Sequence, residues 1–162
     1  MEIRKAEKRD LTEILEILNY EITNSTAVYD DVPRDREFIQ AWFSEKNRLG
    51  LPVFVAVKNN EVLGYGTFGK YRPHDGFRFT VEHSIYISKE NRGGGIGKLL
   101  MEKLIFSAKS LGFHAIIAGI DAENLKSCKF HEEFGFKEVG RLKEVGFKFE
   151  RWLDLVFMQK ML

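Results

Sequence analysis

The chain has 162 residues, 44% of them hydrophobic and 30% charged, the balance of one domain with a full-sized core over residues 1–162. With 25 Lys+Arg against 24 Asp+Glu the formal net charge is +1, which excludes a broad polyanion surface. Neither nucleic acid nor an anionic membrane is expected as a partner, and any anion must be met locally. The single cysteine, Cys128, allows no disulfide framework within the chain and suits a reducing compartment. Met1-Glu2-Ile3-Arg4-Lys5 is charged from the start, unlike a signal peptide, and the longest apolar runs are strand-sized, so the cytoplasm is the expected location.

A short strand near Ile3 opens the chain. Asp10-Leu11-Thr12-Glu13 then reads as a capping box, followed by Leu11, Ile14, Leu15, Leu18 and Ile22 at helical spacing, so a first helix is predicted to run to about Thr23. Asp35 is placed to cap a second helix carrying Phe38, Ile39, Trp42 and Phe43, which ends near Leu49-Gly50. Pro52 to Lys58, the Asn59-Asn60 turn and Val62 to Tyr71 predict a hairpin, and Phe77 to Ser88 a third long strand after a loop over Arg72 to Gly76. Gly97 to Leu111 is the clearest helix, with Leu100, Leu104, Ala108 and Leu111 on one stripe and Gly112 as its stop. His114 to Ile120 is a short apolar strand and Asn124 to Phe134 a helix ended by Gly135. Two strands, around Glu138 to Lys143 and Trp152 to Met161, close the chain. The class is α+β (mixed α/β): a mixed central sheet, antiparallel early and parallel in the middle, flanked by helices.

Between the third strand and the clearest helix stands Arg92-Gly93-Gly94-Gly95-Ile96-Gly97-Lys98. Glycines let a backbone approach a ligand closely, and the free N–H groups and dipole of a helix start favour an anion, so a phosphate or pyrophosphate suits the place. A nucleoside triphosphate loop requires Gly where Arg92 stands and Ser or Thr after Lys98, where Leu99 stands. A dinucleotide fingerprint requires a small residue at Leu100. A turn without ligand is the remaining alternative, at the cost of several residues with poor helix and strand propensity.

Arg92, Gly95 and Gly97 satisfy the Arg/Gln-x-x-Gly-x-Gly/Ala pattern of acetyl-CoA-dependent N-acetyltransferases, and over essentially its whole length the chain resembles the GNAT superfamily. Asn124-x-x-Ser127 with His131-Glu132-Glu133-Phe134-Gly135-Phe136 is similar to that superfamily's second cofactor segment. Within it the chain resembles the phosphinothricin acetyltransferase subgroup. The resemblance is carried by Thr23-Asn24-Ser25-Thr26-Ala27, Thr80-Val81-Glu82-His83-Ser84-Ile85-Tyr86-Ile87, and Gly146-Phe147-Lys148 with Trp152-Leu153-Asp154. It implies acetyl-CoA as cosubstrate, held by Ile85, Tyr86, Ile87, the Arg92–Lys98 loop, Asn124 and Ser127, with no metal. It also implies a homodimer.

Acetyl transfer to an amine needs a neutral amine, a polarised carbonyl and a stabilised thiolate. Glu82 is the candidate general base, sharing one strand face with Ser84 while His83 and Ile85 share the other, and Phe77 and Phe79 are the expected source of desolvation that raises its pKa. A solvated strand carboxylate is the alternative. The resemblance gives His131 a catalytic role, as acid or base, at a position where many relatives carry Tyr; a helix histidine is otherwise a surface or capping residue. The carbonyl is expected to meet a backbone N–H of Ile85 to Ile87. Cys128 lacks an identifiable base and reads as a structural thiol rather than a nucleophile.

Arg72 and Arg78, with Phe77, are the candidate acceptor-binding residues, because Arg holds a carboxylate or phosphinate through bidentate bonds. His74, Phe77 and Glu150 depart from the subgroup pattern. The expected activity is acetyl transfer to the amino group of phosphinothricin, methionine sulfone or methionine sulfoximine. The alternatives are another amine, such as a peptide N-terminus or a polyamine, or a CoA-binding sensor without turnover.

Overall fold

Strand alternation and helical spacing resolve, in the computed structural model describing residues 1–162, into one mixed sheet and four helices. In chain order these are β1 (Glu2–Lys5), α1 (Leu11–Asn24), α2 (Arg36–Arg48), β2 (Val53–Lys58), β3 (Glu61–Lys70), β4 (Thr80–Ile87), α3 (Ile96–Ser110), β5 (Ala115–Asp121), α4 (Leu125–Glu133), β6 (Lys137–Lys148) and β7 (Arg151–Met161). The strand order is β1-β2-β3-β4-β5-β7-β6, and β4–β5 is the one parallel pairing. No helix is long and apolar enough to cross a membrane.

Each face of the sheet has its own core. On one, Leu100, Met101, Leu104 and Ala108 of α3 pack with Phe54, Phe68, Val81 and Ile116, and α4 adds Cys128 and Phe130 at the margin. On the other, Leu11, Ile14 and Ile17 of α1 and Ile39 and Phe43 of α2 cover Val53, Val55 and Tyr65. Alternation along β4 therefore sends Val81, His83 and Ile85 to the α3/α4 face and Glu82, Ser84 and Tyr86 to the α1/α2 face. Cys128 lies partly buried at the core margin with its thiol pKa raised by burial, the condition of a structural thiol.

Three local readings differ from expectation. The capping box lies one turn earlier, between Glu7 and Asp10, in the 3-10 turn that precedes α1. The Asp10 carboxylate is taken by Arg4, at 2.7 and 2.8 Å, and by the Glu7 N–H, while Glu13 turns away to accept from Val62 N–H at 3.1 Å. The strand expected from Phe77 starts at Thr80, because Phe77 N–H and Arg78 N–H bond back to His74 and Asp75 and form a turn. The last two strands form one longer hairpin with bulges near Val139 and Glu144. Its tight turn, Phe149-Glu150, has φ of 53° and 58°, left-handed values at residues that carry no glycine or asparagine signal.

Candidate active site

The hydrogen bonds Tyr71 N–H to Thr80 O and Ser88 N–H to Leu63 O, with the β3–β4 register, fix which backbone groups of β4 face β3: those of the even-numbered residues from Thr80 to Ser88. Val81, His83, Ile85 and Ile87 present theirs to the opposite side. There β5 pairs only with Thr80–Glu82 and then diverges to follow β7 as far as Asp121. The two strands thus splay apart beyond Glu82, and the N–H groups of Ile85 and Ile87 line the opening. Tyr86 differs, since its N–H is committed to β3 and its ring packs against Tyr65 with centroids 5.4 Å apart.

Glu82 stands where the opening begins. A Cβ added to Gly119 would lie 3.1 Å from Glu82 Oε1, so the carboxylate leans across the gap toward β5, over a residue with no side chain. Its pKa is raised by burial in the sheet, and the Arg72 charge works against the rise. Phe77 and Phe79, the expected source of that desolvation, are 42% and 52% exposed and precede the strand.

Downstream of β4, Gly93 (φ +83°) and Gly95 (φ +79°) adopt left-handed conformations with open space where a Cβ would project. The first helical bond of α3 is Leu99 N–H to Gly95 O, so the N–H groups of Ile96, Gly97 and Lys98 precede it without an intrahelical partner. Gly94 is exposed, and Lys98 is exposed and makes no ion pair. Arg92 is not free in this way. Its guanidinium pairs with Glu21 of α1, which is 5% exposed, and its Nε donates to Ile87 O at 3.3 Å. Asn124 caps α4, accepting from Ser127 N–H at 3.0 Å and leaving its own amide N–H groups to bond elsewhere.

His131 lies on the α3/α4 face, across the sheet from Glu82. It is 6% exposed and boxed by Phe130 and Phe136. Its Nδ1–H donates to Ser127 O at 2.7 Å, a bond only the protonated nitrogen can make, so its Nε2 accepts from His83 Nε2–H at 3.0 Å. His83 Nδ1 is then buried without a partner. Burial pushes both imidazoles down, His83 to about 3, so both are neutral. Arg72, in the loop between β3 and β4, is the cation that acts on Glu82, whereas Arg78 is turned to Asp75 O at 3.0 Å and to the Phe79 ring. Phe77 packs edge-on against Tyr71.

Glu21 stands in none of the sequence motifs, and Thr26, Lys148 and Gly146, which lie in the segments that carry the resemblance, have contacts that only the fold reveals. Glu21 interrupts the buried stripe of Ile14 and Ile17, and a carboxylate on an apolar stripe is the signal that marks it. Thr26 donates to Asp121 at the end of β5, while Lys148 Nζ, from β6, donates to Ser25 O at 2.8 Å and Val28 O at 2.6 Å. These bonds hold the segment after α1 across the α1/α2 side of the splay. Gly146 lets the Tyr29 ring lie within 2.6 Å of where a Cβ would stand.

A strand that splays from its parallel neighbour, a glycine loop and a helix start with N–H groups that have no intrahelical partner are features suited to an anionic cofactor. A match to the acetyltransferase (GNAT) family spans residues 12–136, and the chain belongs to that family. It is an acetyl-CoA-dependent acetyltransferase. Over 159 residues, 98% of this chain and 93% of the other, it is 42% identical to the L-methionine sulfoximine/L-methionine sulfone acetyltransferase of Salmonella typhimurium. The crystal structure of a phosphinothricin acetyltransferase from Sinorhizobium meliloti in complex with acetyl-CoA superposes with a TM-score of 0.96 at 38% identity, covering 99% of this chain and 88% of that one. That of a ribosomal-protein-alanine N-acetyltransferase from Brucella melitensis does so with 0.99 at 44% identity, covering 100% of both.

Proposed function

We propose that the chain transfers acetyl directly from acetyl-CoA to the amino group of a small amino-acid-like acceptor of the methionine sulfone, methionine sulfoximine or phosphinothricin type, with Glu82 as general base. The observation that carries this reading is the Glu82 carboxylate at the mouth of the splay, on the α1/α2 face, at the start of the strand edge along which β5 no longer pairs with Ile85 and Ile87. Acetyl-CoA supplies an activated acyl group with a thiolate leaving group. The Ile96–Lys98 N–H groups and the Lys98 charge suit its pyrophosphate, and Asn124 and Ser127 flank the same face. Glu82 takes the ammonium proton, directly or through one water, and its raised pKa strengthens it as a base. Ile85 or Ile87 N–H then stabilises the oxyanion as the amine attacks, an arrangement set in advance and needing no reorganisation; the C–S bond breaks as the intermediate collapses, and the second amine proton passes to the departing CoA thiolate.

For His131 the geometry favours positioning over proton transfer at the reacting atoms: its Nδ1–H holds Ser127 O and its Nε2 is occupied by His83, so it ties the Asn124–Ser127 segment to β4. Arg72 is the acceptor-carboxylate or phosphinate anchor, with Phe77 and Arg78 shaping the loop around it. A second copy of the chain is the proposed partner. The edge strand β6 leaves Leu142, Val145 and Phe147 exposed, and Phe147 packs edge-on against the exposed Trp152 with centroids 4.9 Å apart. Light scattering of the purified protein gives the dimer mass if this holds and the monomer mass if it does not.

A thiol-release assay with acetyl-CoA tests the activity across amino acids, their sulfone, sulfoximine and phosphinate analogues, a peptide beginning with alanine, and a polyamine. Turnover concentrated on the analogues supports the proposal. Preference for the peptide would move the chain toward the function named for its Brucella relative, and firm CoA binding without turnover on any amine would make it a sensor.

A further inference from the structure

The arginine of the glycine loop is already paired. Arg92 opens the glycine loop, but its guanidinium reaches back over the ring of Tyr20, 5.6 Å from the centroid, to the carboxylate of Glu21. Glu21 is 5% exposed. Its second oxygen accepts from Ser25 Oγ at 2.6 Å, and Arg92 is its only ion-pair partner. A carboxylate this buried, left without its cation, is strongly unfavourable, because the desolvation of the charge is no longer compensated. Handing Arg92 to a phosphate would strand Glu21, so the guanidinium stays where it is when cosubstrate binds.

We infer that Glu21 is a positioning residue for acetyl-CoA binding: through Arg92, whose guanidinium it keeps, it fixes the end of β4 and the start of the glycine loop. The three contacts form one chain, from Ser25 in the segment over the acceptor side, through Glu21 and Arg92, to Ile87 O at the last residue of the splayed strand. The inference rests on the reading that this loop holds acetyl-CoA.

The test is a double-mutant cycle on the dissociation constant of acetyl-CoA, measured by calorimetry, with kcat and KM determined alongside. Glu21→Ala and Arg92→Ala are each expected to weaken binding about tenfold, the worth of one charge-assisted bond. The double variant should be no weaker than either single one, because the two residues act as a unit. Glu21→Gln, which keeps the size of the side chain and a bond to Ser25, should behave like Glu21→Ala, with the loss larger in KM than in kcat. It also serves if the alanine variant does not fold. Tightened binding in Glu21→Gln would mean that release from Glu21 frees Arg92 for the phosphate, and the inference would fall. Losses that multiply in the double variant, or a lowered Tm with unchanged affinity, would overturn it equally. If Gly95→Ala and the wild type bind acetyl-CoA alike, it is the assignment of the loop that fails, and not the Glu21–Arg92 link.

Discussion

Replacing Glu82 by Gln removes a proton acceptor and little else. The two side chains are nearly isosteric, and the space toward Gly119, 3.1 Å from Oε1 to an added Cβ, is open to either. A positioned general base contributes about 10²- to 10⁴-fold, so kcat at pH 7 should fall at least about a hundredfold. A free amino acid's α-ammonium group is overwhelmingly protonated at pH 7, and its neutral fraction rises about tenfold per pH unit until its pKa is approached. The deficit should therefore shrink steadily toward pH 9 as the acceptor loses its proton unaided. Stability provides an independent reading. Burial raises the Glu82 pKa in the folded state, so its contribution is present below the unfolded value near 4.3 and is lost as pH rises through the folded value. At neutral pH the ionised carboxylate opposes folding, and Glu82→Gln should leave Tm equal or higher. The assay is thiol release under saturating acetyl-CoA from pH 6.5 to 9.5, with melting curves on the same samples. A loss of the same size at every pH would refute the assignment of Glu82 as base.

Arg72→Ala removes the charge that holds the Glu82 pKa down, so the acid limb of the pH–rate profile should move to higher pH and the KM of a carboxylate-bearing acceptor should rise; an unmoved limb would place Arg72 outside the site. Gly95→Ala puts a side chain at φ +79° with nothing to clash against, so its cost is backbone strain of about 1–2 kcal/mol and a re-aimed helix start. The KM for acetyl-CoA should rise several-fold, and less for Gly95→Asn, which tolerates that conformation better. The His83–His131 pair has folded pKa values depressed below 6.5, that of His83 to about 3. Its contribution to stability is thus complete above pH 6.5 and declines below it, by up to about 1.4 kcal/mol per pH unit for each histidine. Urea titrations between pH 7 and 5 should show that slope, and a variant carrying both His83→Gln and His131→Gln should lose it.

Much of this protein is local and could be read from the chain. The α3 stripe, the β2–β3 hairpin and the glycine loop each depend on spacing and on residue types that act over a few positions, so periodicity and turn chemistry suffice to find them. The alternation that separates Glu82 from His83 is equally local. Boundaries were less legible where side chains chose distant partners: Asp10 left the cap of α1 for Arg4, and the turn at Phe149-Glu150 adopts left-handed angles without a glycine to announce it. Tertiary structure alone decided where the two candidate catalytic residues stand relative to each other. They lie on opposite faces of one sheet, because His83 rather than Glu82 faces α4. It also decided that β5 leaves β4 after Glu82, which frees the Ile85 and Ile87 N–H groups, and that Arg92 meets a carboxylate 71 residues away in the chain instead of open solvent. Spacing along a chain reports which groups share a turn or a face. Which strand edges stay unpaired, and which charges find each other, depends on how distant segments pack.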